Sequence, residues 1–297
     1  MKIHIPFIAL LTVLVITMAV SAQEISVDQL KQMMSDSSQN LTTYTYNRTA
    51  DTEIMYSNQS IHKDFKAVKT IEGKIDLAGM AGSWMSRLVD ETNGEVLVWN
   101  GYFVNGSEWW KEGENWTKFV LNDSAGIMQD YNEIPGQVNL IKYSDVKIVG
   151  TESIQGEEAY KLNGTPYIPI CKGICGIQLL TAYSASPFPK PAVLMNGSLN
   201  IDNTTLLNNS GTVLTAWVSK KDARLLRLDI NSSLTVTPQI LNMDAPEFRI
   251  HSTINESTVY GDFGAPLTIE LPEDAVNQSF RMKGADWRWA VFGSVRP

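Results

Sequence analysis

Residues 93–119 read NGEVLVWNGYFVNGSEWWKEGENWTKF, and the reading of this stretch decides the fold. Asn93-Gly94, Asn105-Gly106 and Glu112-Gly113 punctuate apolar and aromatic runs that are too short for helices. Asn-Gly is the strongest short-range hairpin signal, because both residues tolerate the left-handed backbone of a two-residue turn. The spacing predicts strands over 95–103, 108–111 and 115–119, joined as an antiparallel meander. Trp109 and Trp110 are sequence neighbours, so they point to opposite faces of their strand. Such a hairpin is buried on both sides or lines a cavity.

Working outward, strand patterns cover 83–92, 62–77 and 41–56 upstream, and 144–162, 211–219, 224–237, 247–257 and 266–271 downstream. Turns are expected at 153–156 and at Lys221-Asp222. A helix is expected over 25–35, with Ser26 as its cap and Gln29 completing a capping box. Its apolar face would be Ile25, Leu30, Met33 and Met34. A second helical stretch spans 124–143, interrupted near Pro135-Gly136. Residues 165–210 are irregular. Within them 174–185 reads as a short buried helix and 186–191 as a stiff, Pro-rich extended segment. No repeat and no interdomain linker is present. The expected fold class is α+β, mainly β: one curved antiparallel sheet with two or three helices over its concave face, forming one domain over 23–297 with an irregular insertion at about 165–210.

Residues 1–22 read as a targeting segment. Lys2 and His4 precede an uncharged apolar run, and Val20-Ser21-Ala22 offers small residues for cleavage before Gln23. The run is also close to bilayer length, so an uncleaved anchor is the alternative and would associate the chain with a membrane. Residues 287–293 are too short and too polar to span. Without Lys2 the chain holds 23 basic and 32 acidic residues. That balance argues against nucleic-acid or anionic-membrane partners.

Asn-x-Ser/Thr occurs at Asn40, Asn47, Asn58, Asn105, Asn115, Asn122, Asn163, Asn196, Asn203, Asn208, Asn231, Asn255 and Asn277. These are 13 of the 20 asparagines, about four times what the Ser and Thr content predicts by chance. Turn chemistry accounts for some Asn-Gly pairs but not for the hydroxyl residue that follows each. The reading is an exported N-glycoprotein with these asparagines at its surface. The two cysteines, Cys171 and Cys175, flank Gly173. In an oxidising compartment they are expected to close a short local disulfide, with two free thiols as the alternative. Only His62 and His251 follow the targeting segment, so no metal-ligand set is in view.

No nucleophile elbow, metalloprotease, phosphate-loop, EF-hand or dinucleotide motif is present. The carboxylate pairs Glu157-Glu158 and Glu112/Glu114 sit in turns beside glycine, where solvated acids are usual. The chain therefore reads as a non-enzyme without a cofactor. Apolarity and expected placement nominate Trp99, Trp110, Met128, Ile177 and Leu180 as cavity residues.

The order of the motifs resembles a known group. A helix leads into a Tyr/Thr-rich strand, followed by Tyr102-Phe103-Val104-Asn105-Gly106 and Trp116-Thr117-Lys118. VGTESIQGEEAYKL at 149–162, WVSKKDARL at 217–225, YGDFG at 260–264 and LPEDA at 271–275 follow. The pattern is similar to the LolA-like superfamily of lipoprotein carriers and related surface proteins, over nearly all of the chain after residue 22. The resemblance implies a half-open β-barrel whose concave face binds acyl chains or lipidated partners, or serves an envelope sensor. The chain lacks a lipobox cysteine, and its 165–210 stretch is longer than in the carriers. That architecture combined with dense glycosylation signals points to an archaeal surface protein. Two functions are expected: a lipid-binding module lidded by 174–185 and 124–143, or a structural or interaction glycoprotein whose core is self-filled.

Overall fold

The computed structural model describes residues 25–120, 124–166, 210–240, 247–278 and 280–282. The targeting segment, Cys171 and Cys175, Ile177 and Leu180, the expected helix over 174–185, the extended 186–191 stretch, and Asn122, Asn196, Asn203 and Asn208 lie outside the described residues.

Ser26 begins helix α1 (Val27–Gln39) with the expected capping box. Its hydroxyl accepts from the Gln29 amide at 3.2 Å, and the Gln29 side chain accepts from the Ser26 amide at 3.0 Å. Two donors that the helix start leaves unpaired are thus satisfied. Leu30 and Met34, one turn apart, are each 1% exposed, whereas Met33 is 45% exposed. The expectation that Met33 shares the buried face is corrected. It lies about 100° around the helix from Met34, beyond the edge of a narrow stripe.

Strands β1 (Thr43–Asn58), β2 (His62–Asp76), β3 (Ala81–Asp90), β4 (Val96–Val104), β5 (Ser107–Glu112) and β6 (Asn115–Val120) form a meander. Asn105 (φ +53°) and Gly106 (φ +67°) make the two-residue turn of the β4–β5 hairpin, with Val104 opposite Ser107. A second meander comprises β7 (Ser144–Ile154), β8 (Glu157–Pro166), β9 (Ser210–Ser219), β10 (Leu225–Val236) and β11 (Phe248–Gly261). β11 pairs with β1 over residues 45–58, which joins the two meanders into one sheet. A three-residue strand, β12 (Phe280–Met282), adds to β6 in parallel, the one departure from antiparallel pairing among the described strands. The sheet order is β12-β6-β5-β4-β3-β2-β1-β11-β10-β9-β8-β7, an open sheet with two edges.

This order dictates where the helices lie. The chain leaves β6 beside one edge and re-enters as β7 at the other. The connection holds α2 (Ser124–Tyr131) and α3 (Glu133–Lys142), which cross one face of the sheet together with α1. The helical stretch breaks at Asn132, not at Pro135-Gly136. Pro135 falls in the first turn of α3, where a missing N–H loses no helical hydrogen bond. Leu30, Met34, Ile134, Val138 and Ile141 from the helices pack on Tyr44, Ile75, Phe103, Leu162, Leu214 and Val218 of the sheet. Each such fully buried side chain contributes about 1.5–3 kcal/mol.

A bulge at Leu226 interrupts the β9–β10 register between Leu225 and Arg227. The extra residue turns Leu225 toward the helices and sends Leu226 to the opposite face, beside Trp217 and Ala159. Residues 266–271, expected as a strand, are not one. Their exposure alternates as a strand's would, but the two neighbours that β11 could offer are already β1 and β10. After them comes α4 (Glu273–Gln278), on the face opposite α1–α3, where Ala275 joins Trp109 and Trp116.

Candidate functional site

The helix-bearing face, called inner below, divides into three bands along the strands. The first is the helix-covered core. The space between Met34, Ile134, Val138, Leu225 and Phe263 is too small for a water molecule.

Within this band one cross-strand row alternates aromatic side chains with glycine: Tyr46 on β1, Gly73 on β2, Trp84 on β3, Gly101 on β4 and Trp110 on β5. A Cβ on Gly73 would lie 2.1 Å from the Tyr46 ring, and one on Gly101 would lie 2.1 Å from the Trp84 indole. Each ring lies flat over its neighbouring glycine, which only a residue without a side chain permits. Trp84 then meets Trp110 edge-on at 5.7 Å and Tyr131 of α2 at 4.8 Å. The Tyr131 hydroxyl donates to Glu108, which is fully buried.

The second band is polar. Arg48 on β1 forms ion pairs with Glu133, in the first turn of α3, and with Glu256 on β11 at 3.3 Å. Its Nε also donates to the Thr258 hydroxyl at 3.0 Å. Burial opposes the charge on Arg48, but Glu133 and Glu256 together raise its pKa above the ordinary value. Burial raises the Glu133 carboxyl, and the attraction of Arg48 offsets this only in part. Lys69 on β2 is lowered, chiefly by burial and then by Arg48. Burial and then Glu133 push the hydroxyls of Tyr46 and Tyr260 up, so both stay protonated.

The third band is apolar again and lies outside the helix-covered core cluster. Ile54, Phe65, Leu234, Val236 and Ile250 present inner-face side chains from β1, β2, β10 and β11, each no more than 4% exposed.

Of the expected cavity residues, Trp99, Trp110 and Met128 are on the inner side. Met128 is 2% exposed and belongs to the helix-covered core together with Trp84 and Tyr131. Trp110 stands at the end of the aromatic–glycine row. Trp99 is half-buried one row further along, opposite Ser86 on β3. Sequence reasoning missed Arg48, Lys69, Glu133 and Glu256. Their one signal was an Arg continuing the alternation begun by Tyr44 and Tyr46. Among the described residues no group of three metal-ligating side chains is present.

The opposite, outer face carries acceptor asparagines. All nine within the described residues, Asn40, Asn47, Asn58, Asn105, Asn115, Asn163, Asn231, Asn255 and Asn277, are exposed. Asn47, Asn163, Asn231 and Asn255 lie within strands, and strand alternation places all four on the outer face. At one edge Asp274 of α4 accepts from the Trp116 indole and the Lys111 ammonium, both at 2.9 Å. These two bonds lower its carboxyl, the indole first.

No protein-family model and no curated relative matches the chain. Among solved structures it is similar to LprF from Mycobacterium bovis, at 16% identity and a TM-score of 0.44, over 82% of this chain and 96% of that one. It is also similar to the Mycobacterium tuberculosis lipoprotein LppX, at 10% identity and a TM-score of 0.38, over 82% and 100% of the two chains. A LolA superfamily protein from Nitrosomonas europaea aligns at 11% identity and a TM-score of 0.21, over 84% and 96%. At these scores the likeness carries no functional argument, and the chain's own geometry must supply one.

Proposed function

We propose that this chain is an exported, N-glycosylated protein of an archaeal cell surface or its surroundings, and that it holds a lipid or other hydrophobic ligand on the inner face of its sheet without catalysing a reaction. The observation that carries the reading is the third band. Ile54, Phe65, Leu234, Val236 and Ile250 continue the apolar inner face past the helices and across the charged belt. Apolar area of this extent on a concave sheet is the physical requirement for holding an acyl chain. Trp99, Trp110 and Met128 belong to the proposal as cavity residues of the same inner face, Met128 and Trp110 at its helix-covered end and Trp99 level with the charged belt. The exposure of nine acceptor asparagines supports the glycoprotein part, since a glycan cannot be attached to a buried side chain. A location outside the cytoplasm, a lipidated partner and a disulfide between Cys171 and Cys175 belong to the same proposal.

The test is binding of a fluorescent fatty acid to delipidated protein, beside native mass spectrometry of gently purified protein. Saturable binding at micromolar concentration and a co-purifying lipid mass are expected. Absence of both would remove the lipid-binding reading. The second reading, a surface glycoprotein with a self-filled core, is favoured by the close packing of α1 and α3 on β10, which leaves no room for water.

A further inference from the structure

The apolar band holds three hydroxyls that find no partner. Thr212 on β9, Ser232 on β10 and Ser252 on β11 are each 5% exposed. None of their side-chain oxygens has a hydrogen-bond partner among the described residues. Thr212 and Ser232 stand opposite one another in the β9–β10 register. Ser252 pairs with Leu234, two residues beyond Ser232, so it is the next inner-face position along the sheet. All three therefore face the same side as Ile54, Leu234 and Val236. Buried hydroxyls in sheets ordinarily bond a carbonyl or a neighbouring side chain. Three unpaired ones on adjacent strands, all facing one way, make up a polar spot in an apolar surface.

Resting on the lipid-binding reading above, we infer that Thr212, Ser232 and Ser252 form a subsite for the uncharged, oxygen-bearing part of a lipid: an ester, ether or hydroxyl group whose hydrocarbon chain lies on the apolar band. A hydroxyl both donates and accepts, so three of them satisfy ester carbonyls, ether oxygens and alcohols alike. They bring no charge of their own. Arg48, in the adjoining charged belt, is already engaged by Glu133 and Glu256. An ionic headgroup placed here would be buried without a counter-charge, which is far less favourable than burying an ester.

The experiment compares two ligands of matched chain length, monopalmitoylglycerol and hexadecane, as displacers of a pyrene-labelled hydrocarbon from the delipidated full chain. The wild-type protein is expected to prefer monopalmitoylglycerol by about tenfold, the equivalent of one or two buried hydrogen bonds. The variant Thr212→Val/Ser232→Ala/Ser252→Ala is expected to keep its hexadecane affinity, to lose most of the preference and to melt no lower than wild type. Thr212→Val alone preserves side-chain shape, provides the same readout should the triple variant not fold, and is expected to lose part of the preference. Equal wild-type affinities would mean that the hydroxyls serve water only and would overturn the inference. A preference that survives the substitutions would do the same. Either result leaves the lipid-binding reading standing, whereas displacement by neither compound overturns both.

Discussion

Arg48 in the middle of β1 and Glu133 in the first turn of α3 form an ion pair that ties a helix to the inner face of the sheet between two apolar bands. The pair is held by opposing forces. Arg48 remains charged because two carboxylates face it, while burial moves Glu133 toward its neutral form.

That balance makes stability depend on pH through Glu133. Its folded-state pKa lies above the unfolded value, so the group's contribution is complete below the unfolded pKa of ~4.3 and is lost as pH rises through the raised value. Glu133→Gln mimics the neutral carboxyl. Melting curves of the two proteins across the weakly acidic to neutral range are expected to show wild type losing ground to the variant as pH increases, then a constant offset. A difference that does not vary with pH would contradict the burial of Glu133.

The two inner-face aromatic groups predict different responses to truncation. Phe103 is fully buried beneath α2, so Phe103→Ala is expected to destabilise the protein by about 3–5 kcal/mol. Trp99 is half-buried, so Trp99→Ala is expected to lower stability by much less and to reduce fatty-acid affinity instead. Denaturant unfolding alongside a binding titration separates the two effects.

Gly73 and Gly101 are sites where one methyl group is too many. An added Cβ would meet Tyr46 or Trp84 at 2.1 Å. Gly73→Ala and Gly101→Ala are each expected to destabilise by about 1–3 kcal/mol, with altered near-ultraviolet circular dichroism as the ring tilts. Gly113 lies in an exposed turn with nothing near its added Cβ and serves as the comparison, although its φ of +59° makes any side chain there strained.

Asp274 tethers α4 to the outer face through Trp116 and Lys111. Asp274→Ala is expected to speed amide exchange across 273–278 and to shift Trp116 emission toward that of a solvated indole, leaving the inner face unaltered. In wild type the same release is expected as pH falls through the lowered carboxyl value, because an acid with a depressed folded-state pKa contributes its stability only above that value.

Much of the strand pattern was legible because two-residue turns write themselves locally. Asn105-Gly106 at the β4–β5 hairpin and Gln155-Gly156 at the β7–β8 hairpin both have left-handed backbones that few other pairs tolerate. The α1 capping box was equally local. Residues 266–271 show the limit. Their alternation is a strand's, yet whether a strand forms depends on a free edge, and β1 and β10 had already taken both sides of β11.

From the amino-acid order alone came the meander, the capped first helix, the opposed faces of Trp109 and Trp110, and the abundance of acceptor asparagines. Each is set by neighbours a few residues apart or by composition. The chain's order could not reveal the pairing of β1 with β11, the row running Tyr46, Gly73, Trp84, Gly101, Trp110, or the meeting of Arg48 with Glu133 and Glu256. These unite residues from 9 to more than 200 positions apart. Cross-strand register is chosen by the whole sheet burying one face at once, so it first exists in the folded molecule.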